Sequence, residues 1–280
     1  MNFSFNNLKL LSQLDGRTFQ EPKMHYNKQF NHVILSVYIN KQKDPQRDIF
    51  VDTNSYEYIK PLYSTMKEKN LHGIIFYDNL SQDFIEKYQT DKIIFLKCSM
   101  KKNNSINDER FIVYYNFLLK YPYEKILCSD VSDVYINKNP FDIISIDKLY
   151  VGENHNWKKP PLMWYDYYNE HINNFNNQII KINNEHIFER KDIGIYSAGL
   201  ICGYYDLFIK FLSKYAEILN KLDSNDYNML VLNYIIREYL LEDYDEKTYC
   251  TKHVFTGYPF NSVFKKYEKA GESKAYLIHK

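Results

Sequence analysis

The chain predicts an α/β fold with a mostly parallel central sheet and helices on both faces. Three observations predict it. Short apolar runs rich in β-branched residues alternate with segments of helical spacing through residues 32–150. The runs are continuously apolar, which suits strands buried on both faces. No stretch rich in proline, glycine or serine divides the 280 residues, so one domain over 1–280 is expected, with residues 1–150 its more regular half.

Residues 1–31 show no strong element. His32 to Tyr38 (HVILSVY) reads as the first strand, followed by polar Asp44, Pro45, Gln46 and Arg47. Ile59, Leu62, Tyr63 and Met66 recur at helical spacing. Proline is tolerated in a first helical turn, so Pro61 places that helix from about Lys60 to near Lys69. Gly73 to Tyr77 is a second strand. Ser81 caps a short helix to Tyr88 with Phe84 and Ile85 inward, and Lys92 to Lys97 is a third strand. Asn107 to Tyr121 reads as a helix whose first turn carries Asp108 and Glu109, where the macrodipole favours them. Tyr123 to Ser129 is a fourth strand and Leu149 to Gly152 a fifth. Residues 153–191 are polar, aromatic and irregular. Ile193 to Gly203 holds another strand, Tyr204 to Leu222 and Asp226 to Leu241 are amphipathic helices, and Ala275 to Ile278 is a last short strand.

Composition removes several function classes. Thirty-six basic residues face 35 acidic ones, so no net charge steers the protein toward nucleic acid or an anionic membrane. Cys98, Cys128, Cys202 and Cys250 form no CxxC pair, which argues against a zinc knuckle or a disulfide framework. The segment Met1 to Leu11 lacks the pattern of a signal peptide, and no apolar run approaches membrane-spanning length. A reducing, cytoplasmic compartment is expected (host cytoplasm if the source is viral). Five arginines against 31 lysines make each arginine a candidate for a bidentate role that lysine cannot fill.

In a sheet of this kind, ligands bind beyond the carboxyl ends of the strands. Neither GxGxxG nor GxxxxGK[ST] is present, which disfavours a dinucleotide site and a P-loop; GxSxG is absent too. The sharpest signal is Asp130 and Asp133, at the exit of the fourth strand. Carboxylates there suit a hard divalent cation with open positions for phosphate oxygens. The alternative is a turn, where aspartate is common.

The run from Arg110 through Phe141 (RFIVYYNFLLKYPYEKILCSDVSDVYINKNPF) resembles the GT-A class of nucleotide-sugar glycosyltransferases, in its bacterial and large-DNA-virus branches. There an apolar strand delivers an acidic DxD motif, followed by a turn with proline, here Pro140. The spacing in this chain is DxxD, and Val131 stands where the first aspartate of the usual motif would be. Three more segments match in order. These are the first strand with Asp44 to Arg47, the small-residue strand Tyr196 to Gly203 with Ser197 in place of the usual asparagine, and the helix start Asp226 to Asn233.

The resemblance implies a Rossmann-like GT-A domain with a nucleotide-binding half (1–150) and an acceptor-binding half (151–280). It implies transfer from a nucleoside-diphosphate sugar, UDP favoured, to a glycan or other hydroxyl acceptor, with Mn²⁺ or Mg²⁺ held by Asp130, Asp133 and His279. No nucleic-acid partner is expected. Tyr38 would stack near the base, with core packing as the alternative. Arg110 and Arg47 would reach nucleotide or phosphate; the alternatives are a surface ion pair of Arg110 with Asp108 or Glu109, and solvated loop charge for Arg47. Ser197 and Gly199 would line the donor sugar, and Lys280 would meet a phosphate. Asp226 would accept or orient the acceptor hydroxyl, unless it is a helix cap. Because aromatic faces pack on the apolar faces of sugars, the stretch Trp157 to Tyr168 reads as an acceptor wall, with a surface lid as the alternative. A metal-dependent nucleotidyltransferase, or a non-catalytic sugar-binding module on the same fold, are the competing readings.

Overall fold

The computed structural model describes residues 18–19, 30–45, 48–101, 104–153, 173–175, 177–179, 196–222, 227–243, 245, 250–263 and 274–279. Arg47, Trp157 to Tyr168, Asp226 and Lys280 lie outside the described residues.

The molecule is α/β, built on a seven-stranded sheet flanked by helices. The large sheet contains β1 (His32–Tyr38), β4 (Gly73–Tyr77), β5 (Ile93–Lys97), β6 (Lys125–Ser129), β8 (Leu149–Glu153), β9 (Tyr196–Tyr204) and β10 (Val254–Thr256), in the order β10-β8-β9-β6-β1-β4-β5. The β1, β4, β5 and β6 pairings are parallel, as is β10 with β8. β9 is antiparallel to both β6 and β8, so it alone runs against the others. From β1 the chain proceeds outward to β4 and β5, then returns to lay β6 on β1's other side. That reversal opens a crevice between the carboxyl ends of β1 and β6, the usual ligand position in such sheets.

Alternation along the strands explains the two hydrophobic layers. Val33 and Leu35 of β1, with Ile74 and Phe76 of β4, pack with α3 (Ile106–Lys120), α4 (Tyr205–Leu219) and α5 (Asn228–Tyr239). Ile34 and Tyr38, with Ile75 and Tyr77, pack with α1 (Tyr56–Glu68) and α2 (Gln82–Tyr88). Strands sandwiched this way must be apolar at every position, as the sequence reading required.

The first helix differs from the expectation. It begins at Tyr56, not near Lys60, and Ser55 caps it by accepting the Tyr58 N–H. Pro61 therefore sits inside the helix. It removes one backbone bond, but Ile59, Leu62, Tyr63 and Met66 are all buried against the sheet, and that burial outweighs the loss. Ser81 caps α2 as expected, with Phe84 and Ile85 buried.

The last short strand expected over Ala275 to Ile278 is present as β12 (Leu277–His279), in a smaller sheet whose other strands the sequence reading did not foresee. β7 (Val134–Ile136) pairs antiparallel with β12, which pairs in parallel with β11 (Asn261–Val263). It brings the end of the chain back to the exit of β6. A hairpin of β2 (Lys43–Asp44) and β3 (Ile49–Phe50) was also unforeseen. Among the described residues no helix is long and apolar enough to cross a membrane.

At the opposite, amino end of the sheet, His72 is buried at 6 % exposure. Its Nδ1 lies 2.7 Å from the Lys92 carbonyl oxygen and its Nε2 3.0 Å from the Tyr123 hydroxyl. Burial, with a smaller contribution from Lys92's charge, lowers the imidazole to about 4 despite the Lys92 carbonyl. The unfolded chain therefore takes up this proton first. His72's contribution is complete above about pH 6.5 and is lost as pH falls toward 4, a change of about 3 kcal/mol. Urea unfolding at pH 7 and pH 4.5 should show this loss, and His72→Gln should reduce it. An equal acid loss in wild type and variant would assign it elsewhere.

Candidate metal centre

β6 carries Leu127 and Cys128 into opposite layers of the core and ends at Ser129. Two hydrogen bonds fix its exit: Ser36 Oγ donates to the Ser129 carbonyl at 2.7 Å, and Asp130 N–H to the Gly199 carbonyl at 3.0 Å. The chain then turns through Val131, Ser132 and Asp133 into β7. Val131 is 3 % exposed and packs into the α1–α2 layer. Burying this one apolar side chain leaves the aspartates on either side of it facing the crevice together, which accounts for the DxxD spacing.

β12 delivers the third residue. His279 lies opposite Val134 in the register with β7, next to Asp133. The strand is pinned beforehand, since Asn137 N–H donates to the Tyr276 carbonyl at 2.8 Å and Leu277 N–H to the Phe260 carbonyl at 2.9 Å. His279 Nε2 is 3.5 Å from Asp130 Oδ2 and 3.8 Å from Asp133 Oδ1. One potential ligand atom from each of Asp130, Asp133 and His279 falls within 4.8 Å of the others. The two carboxylates offer the oxygen ligands that suit Mn²⁺ or Mg²⁺, and the imidazole adds a nitrogen donor.

Gly199 keeps the centre open. A Cβ there would stand 2.3 Å from His279 Cε1, 2.7 Å from His279 Nε2 and 2.6 Å from Asp130 Oδ2. Only a residue without a side chain leaves that space, and Gly199 is presented there because β9 runs backward past the end of β6.

Beneath the carboxylates lies Arg110, 6 % exposed. Its Nη1 donates to Asp130 Oδ1, and Nη2 donates to the Ala198 carbonyl at 3.0 Å. This is not the surface ion pair with Asp108 or Glu109 that stood as the alternative to a nucleotide or phosphate contact. Those two are themselves buried and committed elsewhere. Asp108 Oδ2 accepts the Tyr227 N–H at 3.1 Å, before α5, while Glu109 accepts the Lys101 N–H at 3.2 Å and an Asn104 amide N–H. Three consecutive charges at the start of α3 thus tie down four segments, at Tyr227, Lys101 to Asn104, Asp130 and Ala198.

The electrostatics follow from this packing. Burial pushes the Asp130 carboxyl up, but the Arg110 guanidinium and the His279 imidazole outweigh it and hold it well below the usual carboxylate range. Burial pushes His279 down, but Asp130 and then Asp133 outweigh it and raise the imidazole above its ordinary value. Asp130 is thus ionised, as a metal ligand must be, and a cation displacing the His279 proton would meet two negative neighbours.

The centre forms one side of a cleft of about 890 Å³, open mouth included. Ser197 and Gly199 line it. Tyr38 does not. It is fully buried, with its ring centroid 5.0 Å from that of Tyr58, and its hydroxyl donates to the Asp52 carbonyl and accepts the Ser55 N–H. The strand's period of two turns Tyr38 toward α1 and α2, while Val37 and Ile39 reach the cleft. Among the described residues Tyr58 is the aromatic that lines it, with Tyr38 behind. Sequence reasoning passed over Tyr58, although its place one residue before the buried Ile59 marks it as lying at the edge of that helix's apolar face. Asp44 and the first-turn residues Asn107 and Asn228 line the cleft as well. The loop after β1 is held by Asp78, whose carboxylate accepts the N–H groups of Asn40 and Lys41, each at 3.0 Å.

No protein-family model matches the chain, and no curated protein matches it. The functional reading therefore stands on the residues and their geometry, together with the resemblance carried by the motifs.

Proposed function

We propose that this chain is a metal-dependent glycosyltransferase moving a sugar from a nucleoside-diphosphate sugar to a hydroxyl acceptor. The observation that carries the reading is the convergence of Asp130, Asp133 and His279 at the crevice between β1 and β6, with Gly199 leaving room beside them. A divalent cation bound there supplies Lewis-acid neutralisation of a departing diphosphate. Asp130 and Asp133 would hold such a cation through carboxylate oxygens and His279 through an imidazole nitrogen. Gly199 and Ser197 admit a ligand close to the β9 backbone, and Tyr58 offers an aromatic face to a base or a sugar. The choice of UDP, and of a glycan as acceptor, follows from the GT-A resemblance alone.

A panel of nucleoside diphosphates scored by thermal shift, with and without Mn²⁺, tests the reading. A ligand that binds only the folded state at about 100 times its Kd adds roughly 2.7 kcal/mol. UDP with Mn²⁺ is expected to raise Tm by several degrees, and UDP without metal by much less. No shift with any nucleoside diphosphate would reject the reading. A metal-dependent shift without sugar transfer from any activated donor would leave the non-catalytic binding module in its place.

A further inference from the structure

We infer that Arg110 sets the ion preference of the centre by holding Asp130 as a one-oxygen ligand. This rests on the metal reading above. Arg110 Nη1 engages Asp130 Oδ1, while the same guanidinium is anchored through Nη2 to the β9 backbone at Ala198. The other carboxylate oxygen, Oδ2, faces His279 Nε2 at 3.5 Å and the space that Gly199 leaves. Turning the carboxylate to offer both oxygens would break a charge-assisted bond to a guanidinium that is 6 % exposed. Mg²⁺ and Mn²⁺ accept single oxygens in a compact octahedral shell, whereas Ca²⁺ takes six to eight oxygens and often both from one carboxylate. The fork therefore favours the smaller ions.

Arg110 thus acts through Asp130 as a positioning residue. This role separates by sign from the bare effect of its charge. A guanidinium beside a cation site repels the cation, so removing it should tighten binding of every divalent ion if charge were all that mattered. Removing the fork should instead weaken Mn²⁺ and free Asp130 to serve Ca²⁺ with two oxygens.

The test is calorimetric titration of nucleotide-free protein with MnCl₂ and with CaCl₂, for wild type, Arg110→Lys and Arg110→Gln. Lysine keeps the charge and loses the fork; glutamine loses the charge and keeps an amide donor for Ala198. Both variants are expected to lose about 10–100-fold in Mn²⁺ affinity, the range for groups that orient metal ligands. Ca²⁺ affinity should fall less or rise, so the Mn²⁺/Ca²⁺ ratio drops. A merely structural role would lower both ions together. An unchanged ratio, or tighter binding of both ions by Arg110→Gln, would overturn the inference while leaving the metal reading intact. A wild type that binds neither ion would remove both. Melting without metal checks each fold, and if one variant does not fold the other still reports the ratio.

Discussion

Replacing Asp130 by alanine is expected to destabilise the fold as well as the metal centre. Arg110 is buried beside it, and removing the carboxylate leaves that guanidinium without its counter-ion. Breaking a buried pair by deleting one partner typically costs about 3–5 kcal/mol. Asp133→Ala should behave differently. Its side chain is 21 % exposed, and its contact with His279 is the longer of that imidazole's two, at 3.8 Å against 3.5 Å for Asp130, so a smaller cost of about 1 kcal/mol is expected. Both variants should lose Mn²⁺-dependent turnover. The Arg110 contact separates the two aspartates. Urea unfolding in chelator, followed by Mn²⁺ titration, makes the comparison. Equal stability losses would contradict the buried pair, and a normal Mn²⁺ affinity in Asp133→Ala would contradict the centre.

Gly199→Ala is expected to close the centre from the β9 side. The new methyl would need the space of His279 Cε1, 2.3 Å away, and of Asp130 Oδ2, 2.6 Å away. One or both ligands must swing aside, with a loss of about 10–100-fold in Mn²⁺ affinity and about 1–3 kcal/mol of overpacking. Gly203→Ala is the control on the same strand. Its methyl would meet Leu149 Cδ2 at 3.0 Å, a residue of the core. It should lower stability and leave Mn²⁺ affinity unchanged. If the two variants alter Mn²⁺ binding equally, Gly199 has no special place at the site.

The sequence by itself determined most strands of the large sheet and the helices that cover it. Continuous apolar runs marked strands covered on both sides, and β4 and β5 lie close to where those runs placed them. Asp130 and Asp133 stood out as carboxylates directly after a buried strand, while His279 was implied by the family resemblance, with an apolar tail before it able to dock. These signals are local, written within a few residues. Tertiary structure decided what depends on partners distant in the chain. The direction of β9 follows from its pairing with β6 and β8, and only that direction puts Gly199 at the ligand edge. A shift of one residue exchanges the two faces of a strand, so pattern alone could not tell that Tyr38 enters the core and that Tyr58, from α1, takes the cleft. Arg110 carries no sign in the sequence of which carboxylate it meets. Its helix neighbours Asp108 and Glu109 were the nearer candidates, yet each is drawn to another segment. Packing α3 against the sheet brings the guanidinium to Asp130 and Ala198, where burial makes the ion pair strong and its absence costly.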